Sequence, residues 1–145
     1  MNGNLDEESL NNSSSELIAF LQTFNRPDFN FSNEIPVRQD QDGYSTSAWT
    51  TYSPEASRFL LICRNCGFID PYWMQSPVMA DDRAYELRNG SIAIDHITVV
   101  DAAYLLTFLS RQERFSNGTF AQAFNDETII SILYRLDQLH HQENY

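Results

Sequence analysis

The stretch from Thr98 to Leu136 constrains the fold of this chain more than any other. Thr98 can cap a helix, and Asp101 falls in the first turn that follows. Val99, Val100, Ala102, Ala103, Tyr104, Leu105, Leu106, Phe108 and Leu109 then leave almost no polar face. A helix that is apolar all round belongs in the centre of a domain. It leaves the core at Arg111-Gln112-Glu113-Arg114-Phe115 and stops at Ser116-Asn117-Gly118, where glycine accepts the positive φ of a helix exit. A second helix begins near Asp126. Its Ile129, Ile132, Leu133, Leu136 and Leu139 repeat at helical spacing and mark one buried face. The hub is therefore a helix pair joined by a charged corner, with Phe115 expected to fold back as the anchor of the stop.

The rest of the chain supplies smaller elements around that hub. Residues 1–12 read as a disordered acidic tail, and residues 13–141 as one helical domain. Ser13 and Glu16 have capping-box spacing, and Leu17, Phe20, Leu21 and Phe24 continue a helix to about Asn25, before Pro27. Residues 26–53 show no steady period and read as a long connection draped over the core by its aromatic side chains. Ser53-Pro54-Glu55 is a helix start, with a capping serine, proline at the first helical position and an acid in the first turn. Ala56, Phe59, Leu60 and Cys63 form its inward face, and Gly67 its stop. Tyr85, Leu87, Ile92 and Ile94 alternate with polar residues around Asn89-Gly90, which predicts a β-hairpin over Ala84–Asp95. The fold class is mainly α: a small single-domain bundle of four or five helices with a small β-hairpin.

At 145 residues the chain can bury most of a core without staples. There is no apolar run long enough to span a bilayer, and the polar N-terminal sequence has no cleavable apolar region, so a cytoplasmic address is expected. Twenty acidic residues face nine basic ones, for a net charge of −11, and every basic residue is an arginine. The absence of lysine excludes Schiff-base and P-loop chemistry. The negative balance argues against direct binding of nucleic acid and admits a partner protein with a basic surface.

Catalytic, metal and cofactor motifs are lacking. Cys63-Arg64-Asn65-Cys66 would need two more ligands to hold zinc, and His96, His140 and His141 do not have the spacing to supply them. Both cysteines fall at the C-terminal end of a helix, where the dipole opposes a thiolate, so they read as reduced structural thiols. The dense polar cluster is the corner Arg111-x-Glu113-Arg114. Its residues can be spent on helix-end carbonyls and on the chain's own carboxylates. In the alternative reading Arg111 and Arg114 form a fork for a small anionic ligand or an enzymatic site. Glu113 then orients an arginine, and Tyr72, Trp73 and Tyr104 line the site.

From about Trp49 to Leu136 the sequence resembles a bacterial domain family of unknown function. The likeness rests on Tyr52-Ser-Pro-Glu55, Gly67-Phe-Ile-Asp-Pro-Tyr-Trp73, the Arg-x-Glu-Arg-Phe-x-x-Gly corner, and the closing helix Ile129 to Leu136. The resemblance implies a small, mainly helical fold and brings no activity with it. The leading expectation is a non-enzymatic, acidic interaction protein that binds and modulates another macromolecule. Inhibitors and nucleic-acid mimics carried by mobile elements are of this kind. Asp81, Asp82 and Glu86 are the expected partner-binding carboxylates.

Overall fold

The computed structural model describes residues 7–35, 38–39, 45–46, 48–69, 85–90 and 93–143. The expected hub is its centre. Helix α4, Val99–Glu113, opens with Thr98 Oγ1 accepting from the Asp101 amide and Asp101 Oδ2 accepting from the Thr98 amide, both at 3.1 Å. This reciprocal capping satisfies two of the amides that a helix start leaves without intrahelical partners. Ala102, Ala103, Leu105, Leu106 and Leu109 have no exposed surface. Thr107, buried among them, donates to the Phe68 carbonyl at 3.2 Å, so no polar atom of that side chain is buried without a partner. Helix α6, Thr128–Glu143, buries Ile129, Ile132, Leu133 and Leu136 against the same core. Asp126 caps its start, accepting from the Thr128 amide at 3.0 Å and from Arg88 at 2.9 Å. Burial alone would raise the Asp126 pKa. The bonds from Thr128 and the Arg88 guanidinium outweigh it and hold the carboxyl below its usual range.

Between these two helices lies a third, α5, Thr119–Asn125, which the sequence did not announce. Helix α3, Pro54–Asn65, has the expected cap, with Ser53 Oγ accepting from the Ala56 amide at 3.1 Å, and it buries Ala56, Phe59 and Cys63. At the N-terminal end the helix starts earlier than its capping pattern suggests. Helix α1, Glu7–Ile18, takes up residues expected to be tail, because Leu10 is as buried as Leu17 and anchors the first turns. Ser14 sits in the middle of this helix and donates back to the Asn11 carbonyl at 2.8 Å. A turn at Ala19 separates α1 from α2, Phe20–Phe24.

The β-hairpin exists but elsewhere in the chain. Residues 85–88 are helical, with the Asn89 amide donating to the Tyr85 carbonyl at 2.9 Å, and Gly90 has φ +86°. Asn89-Gly90 therefore ends a helical turn instead of joining two strands, and Ile94–His96 follow as a turn of 3₁₀ helix. The same positive φ that suits a hairpin turn also suits a helix exit. The strands lie in the segment expected to be a connection. Strand β1, Ser32–Ile35, pairs antiparallel with β4, Trp49–Tyr52. Strand β2, Arg38–Gln39, pairs with β3, Ser45–Thr46. Ile35 faces Trp49 and Arg38 faces Thr46, so the two ladders keep one register.

The hairpin is tied to the helices by aromatic rings. Phe31, just before β1, stacks on Phe124 of α5 with centroids 4.5 Å apart and meets Phe24 of α2 edge-on at 5.6 Å. Tyr52, at the end of β4, meets Phe31 edge-on at 5.7 Å. No helix among the described residues is long and apolar enough to cross a membrane.

Candidate functional site

The corner between α4 and α5 is built around the Glu113 carboxylate. Glu113 lies at the end of α4, and the chain turns back immediately so that the first amides of α5 point at it. Its Oε2 accepts from the Gly118 amide at 2.8 Å, and its Oε1 from the Phe120 amide at 3.0 Å. The Tyr52 hydroxyl reaches in from β4 and donates to Oε1 at 2.6 Å. Tyr52 Oη accepts in turn from the Ala121 amide at 3.3 Å. A carboxylate in this place neutralises the amides at the start of α5 and joins two helices to a strand. Burial pushes the Tyr52 phenol well above its ordinary value, and the hydrogen bond to Glu113 and that residue's negative charge push it further.

Asn117 closes the corner on its other side. Its Oδ1 accepts from the Thr50 amide at 2.6 Å, and its Nδ2 donates to the Thr50 carbonyl at 3.0 Å. The side-chain amide thus stands where the next strand of a sheet would stand. Gly118 follows with φ +96°, and a Cβ there would come within 2.9 Å of Thr50 Oγ1. Gly118→Ala is expected to cost about 1–3 kcal/mol from backbone strain and this clash together. Urea melts check it. Adding Thr50→Ala should recover the clash but not the strain.

The remaining residues singled out from the sequence are placed as follows. Arg111 and Arg114 are exposed at the end of α4, while the carboxylate between them is turned to Tyr52 and the α5 amides. Phe115 does not fold back: it is 86% exposed. The amides of α5 had already found their acceptor in Glu113, so the turn does not depend on an apolar anchor. Tyr104 is partly buried on α4, and Glu86 is exposed. Tyr72, Trp73, Asp81 and Asp82 lie outside the described residues. Cys63 is fully buried, and burial pushes its thiol up. Cys66 donates to Glu16 Oε2 at 2.8 Å, and burial together with that carboxylate pushes its thiol up to about 11. No group of three or more His, Cys, Asp or Glu side chains is placed to hold a metal among the described residues.

Two features of the hairpin escaped the sequence reading. Side chains alternate across a strand, so Ser32, Glu34, Thr50 and Tyr52 share the face toward α5, and Asn33, Ile35, Trp49 and Thr51 the opposite one. On that outward face Trp49 is 56% and Ile35 45% exposed, directly opposite each other. Beneath the inward face lies an open cleft of about 470 Å³, lined by Ser32, Glu34 and Thr50 of the strands, by Asn117, and by Gln122 and Asp126 at the end of α5. A hairpin with apolar residues on its solvent side has no inward-facing alternation to reveal it, which is why no sequence signal marked it.

A family model described as a family of unknown function (DUF6508) matches residues 10–142. No curated protein and no solved structure matches the chain.

Proposed function

We propose that this chain, which belongs to the DUF6508 family of unknown function, is a non-enzymatic interaction protein that binds and modulates another protein through an exposed hairpin, the partner presenting a basic surface. One observation carries the reading. Trp49 and Ile35 stand side by side in water on the outward face of a hairpin whose inward side is fastened to the helices. Scattered exposed apolar residues are ordinary, but a tryptophan paired with an aliphatic neighbour on a held strand has the make-up of an interface anchor. The strand can be buried by a partner at little further cost in ordering, because Glu113 and Asn117 already hold it. The net charge of −11 favours a partner of opposite sign and adds a long-range attraction that salt weakens. The exposed Glu86, with Asp81 and Asp82 near it in sequence, would add to that field.

The test compares the wild-type chain with two variants as baits in a lysate of the source organism. Trp49→Ser with Ile35→Ser is expected to weaken capture of a basic protein by about tenfold or more, with the melting temperature nearly unchanged. Neutralising Asp81, Asp82 and Glu86 to Asn, Asn and Gln should slow association at low salt and matter less at high salt. If the alternative reading is right, Arg111→Gln or Arg114→Gln abolishes activity while these changes do little. Undiminished capture by the Trp49 and Ile35 variant would sink the hairpin as the working surface.

A further inference from the structure

The two edges of the hairpin are not equivalent. Thr50 gives both its amide and its carbonyl to the Asn117 side chain, so these groups point away from β1. Thr50 lies directly opposite Glu34 in the ladder. In an antiparallel pair, opposed residues alternate between those that bond each other and those whose N–H and C=O turn outward. Glu34 therefore turns its backbone groups outward on the far side of β1, and Ser32, two residues earlier, does the same. The bond from the Ser53 amide to the Phe31 carbonyl at 3.0 Å, one step beyond the Ser32–Tyr52 pair, fits this alternation. The sheet formed by β1 and β4 has two strands. Asn117 closes its β4 edge at Thr50, and nothing among the described residues closes its β1 edge.

An open edge beside a cleft is a known way for a protein to take up an extended peptide. Main-chain bonds hold the added strand, and alternate side chains enter the neighbouring pocket. Here the pocket is the cleft of about 470 Å³ under the inward face of both strands, running from Ser32 and Glu34 past Thr50 and Asn117 to the end of α5. Its wall carries the amide side chains of Gln122 and Asn125 and the carboxylates of Asp126 and Glu34. Asp126 is already engaged by Arg88 at 2.9 Å, whereas Glu34 is exposed and makes no ion pair among the described residues. A second copy of this chain would bring Glu34 toward Glu34 and a charge of −11 toward its equal, which disfavours edge-to-edge pairing with itself. A basic strand meets neither obstacle.

We infer that the partner binds by adding an extended, basic segment to the β1 edge, main chain to main chain at Ser32 and Glu34, with an arginine or lysine directed to Glu34 over the α5 cleft. This rests on the interaction reading above and names the partner's segment and its mode of docking. Ile35, at the end of β1 on the outward face, would pack against the side chains of the added strand that point away from the cleft.

The experiment uses the full chain and a phage-displayed library of random linear nonapeptides, with the enriched peptides then made synthetically. Enriched sequences are expected to carry arginine or lysine at alternating positions. On binding, the Ser32 and Glu34 amides should exchange with deuterium about tenfold more slowly or better, while those of Asn33 and Ile35, already paired with β4, change little. Glu34→Pro removes an outward amide and leaves the β4 pairing intact, and proline is tolerated at such an edge position. It should weaken the synthetic peptide by about tenfold or more, and Glu34→Gln only by about two- to fivefold. The amide-exchange measurement needs no variant and stands even if the proline chain folds poorly. Failure to enrich any basic peptide, unchanged exchange at Ser32 and Glu34, or equal binding to the proline variant would each overturn the inference. So would concentration-dependent protection of those two amides without peptide, which would make a second copy the occupant. If the proline variant still captures a basic protein through Trp49 and Ile35, strand addition fails while the interaction reading survives.

Discussion

Phe24→Ala is expected to destabilise the domain by about 3–5 kcal/mol, the range for emptying a buried phenylalanine site, and to lower the melting temperature by on the order of 10 °C. Phe24 is 4% exposed and sits at the middle of a ring cluster. Its centroid lies 5.2 Å from Phe29 and Phe59, 5.5 Å from Phe20 and Phe124, and 5.6 Å from Phe31. Those five rings come from α2 itself, the connection after it, the base of the hairpin, α3 and α5. Removing the central ring therefore opens a cavity that no single element can close, and tilted or edge-on ring contacts add to the loss of buried area. Phe24→Leu keeps most of the volume and should cost less than half as much. Urea and thermal melts on both variants provide the check. A loss below about 1 kcal/mol for alanine would mean that the cluster does not hold the hairpin to the helices.

The hub could be read from sequence because its signal is periodic and its burial nearly complete. Leu105, Leu106 and Leu109 on one helix, and Ile132, Leu133 and Leu136 on the other, are where their spacing put them. The start of α1 was hidden because Asn11, Asn12 and the four serines of this helix are weak helix formers, and the burial of Leu10 and Leu17 carries those turns. The hairpin lies away from the segment that Asn89-Gly90 predicts for a complementary reason. Asn89-Gly90 correctly signals a positive φ at glycine, but a helix exit and a hairpin turn both require one. The strands that do form, Ser-Asn-Glu-Ile and Trp-Thr-Thr-Tyr, bury no apolar row, so alternation could not disclose them. They are held by Asn117, by Tyr52 and by the rings at their base, partners far away in sequence. The polar corner that holds Glu113 was legible in the sequence, yet its neighbours there suggested arginines as its partners. Its bonds go instead to backbone amides that only the return of the chain into α5 brings within reach.

Glu113→Ala is accordingly expected to cost about 2–4 kcal/mol, although the residue is only partly buried. The loss of one carboxylate leaves three donors to find other acceptors: the Tyr52 hydroxyl and the amides of Gly118 and Phe120. Water can reach some of them, which keeps the figure below the sum of three charge-assisted bonds. Tyr52→Phe removes one donor and leaves the carboxylate with two, so it should cost about 1–2 kcal/mol. In a double-mutant cycle the two changes should be non-additive, since once Glu113 is gone the tyrosine hydroxyl keeps only the bond it accepts from the Ala121 amide. Arg114→Gln, by contrast, should move stability by about 0.5 kcal/mol or less, as exposed side chains usually do. Alkaline melts supply an independent readout. The folded Tyr52 phenol holds its proton above the ordinary value of 10.0, through burial first and Glu113 second. The folded state therefore binds more protons than the unfolded one above that pH, and stability must fall as pH rises from there. Tyr52→Phe should flatten this limb, and Glu113→Ala should reduce it only in part, because the burial remains. Equal alkaline limbs in wild type and Tyr52→Phe would show that the phenol is not held as described, and would take the strand anchor with it.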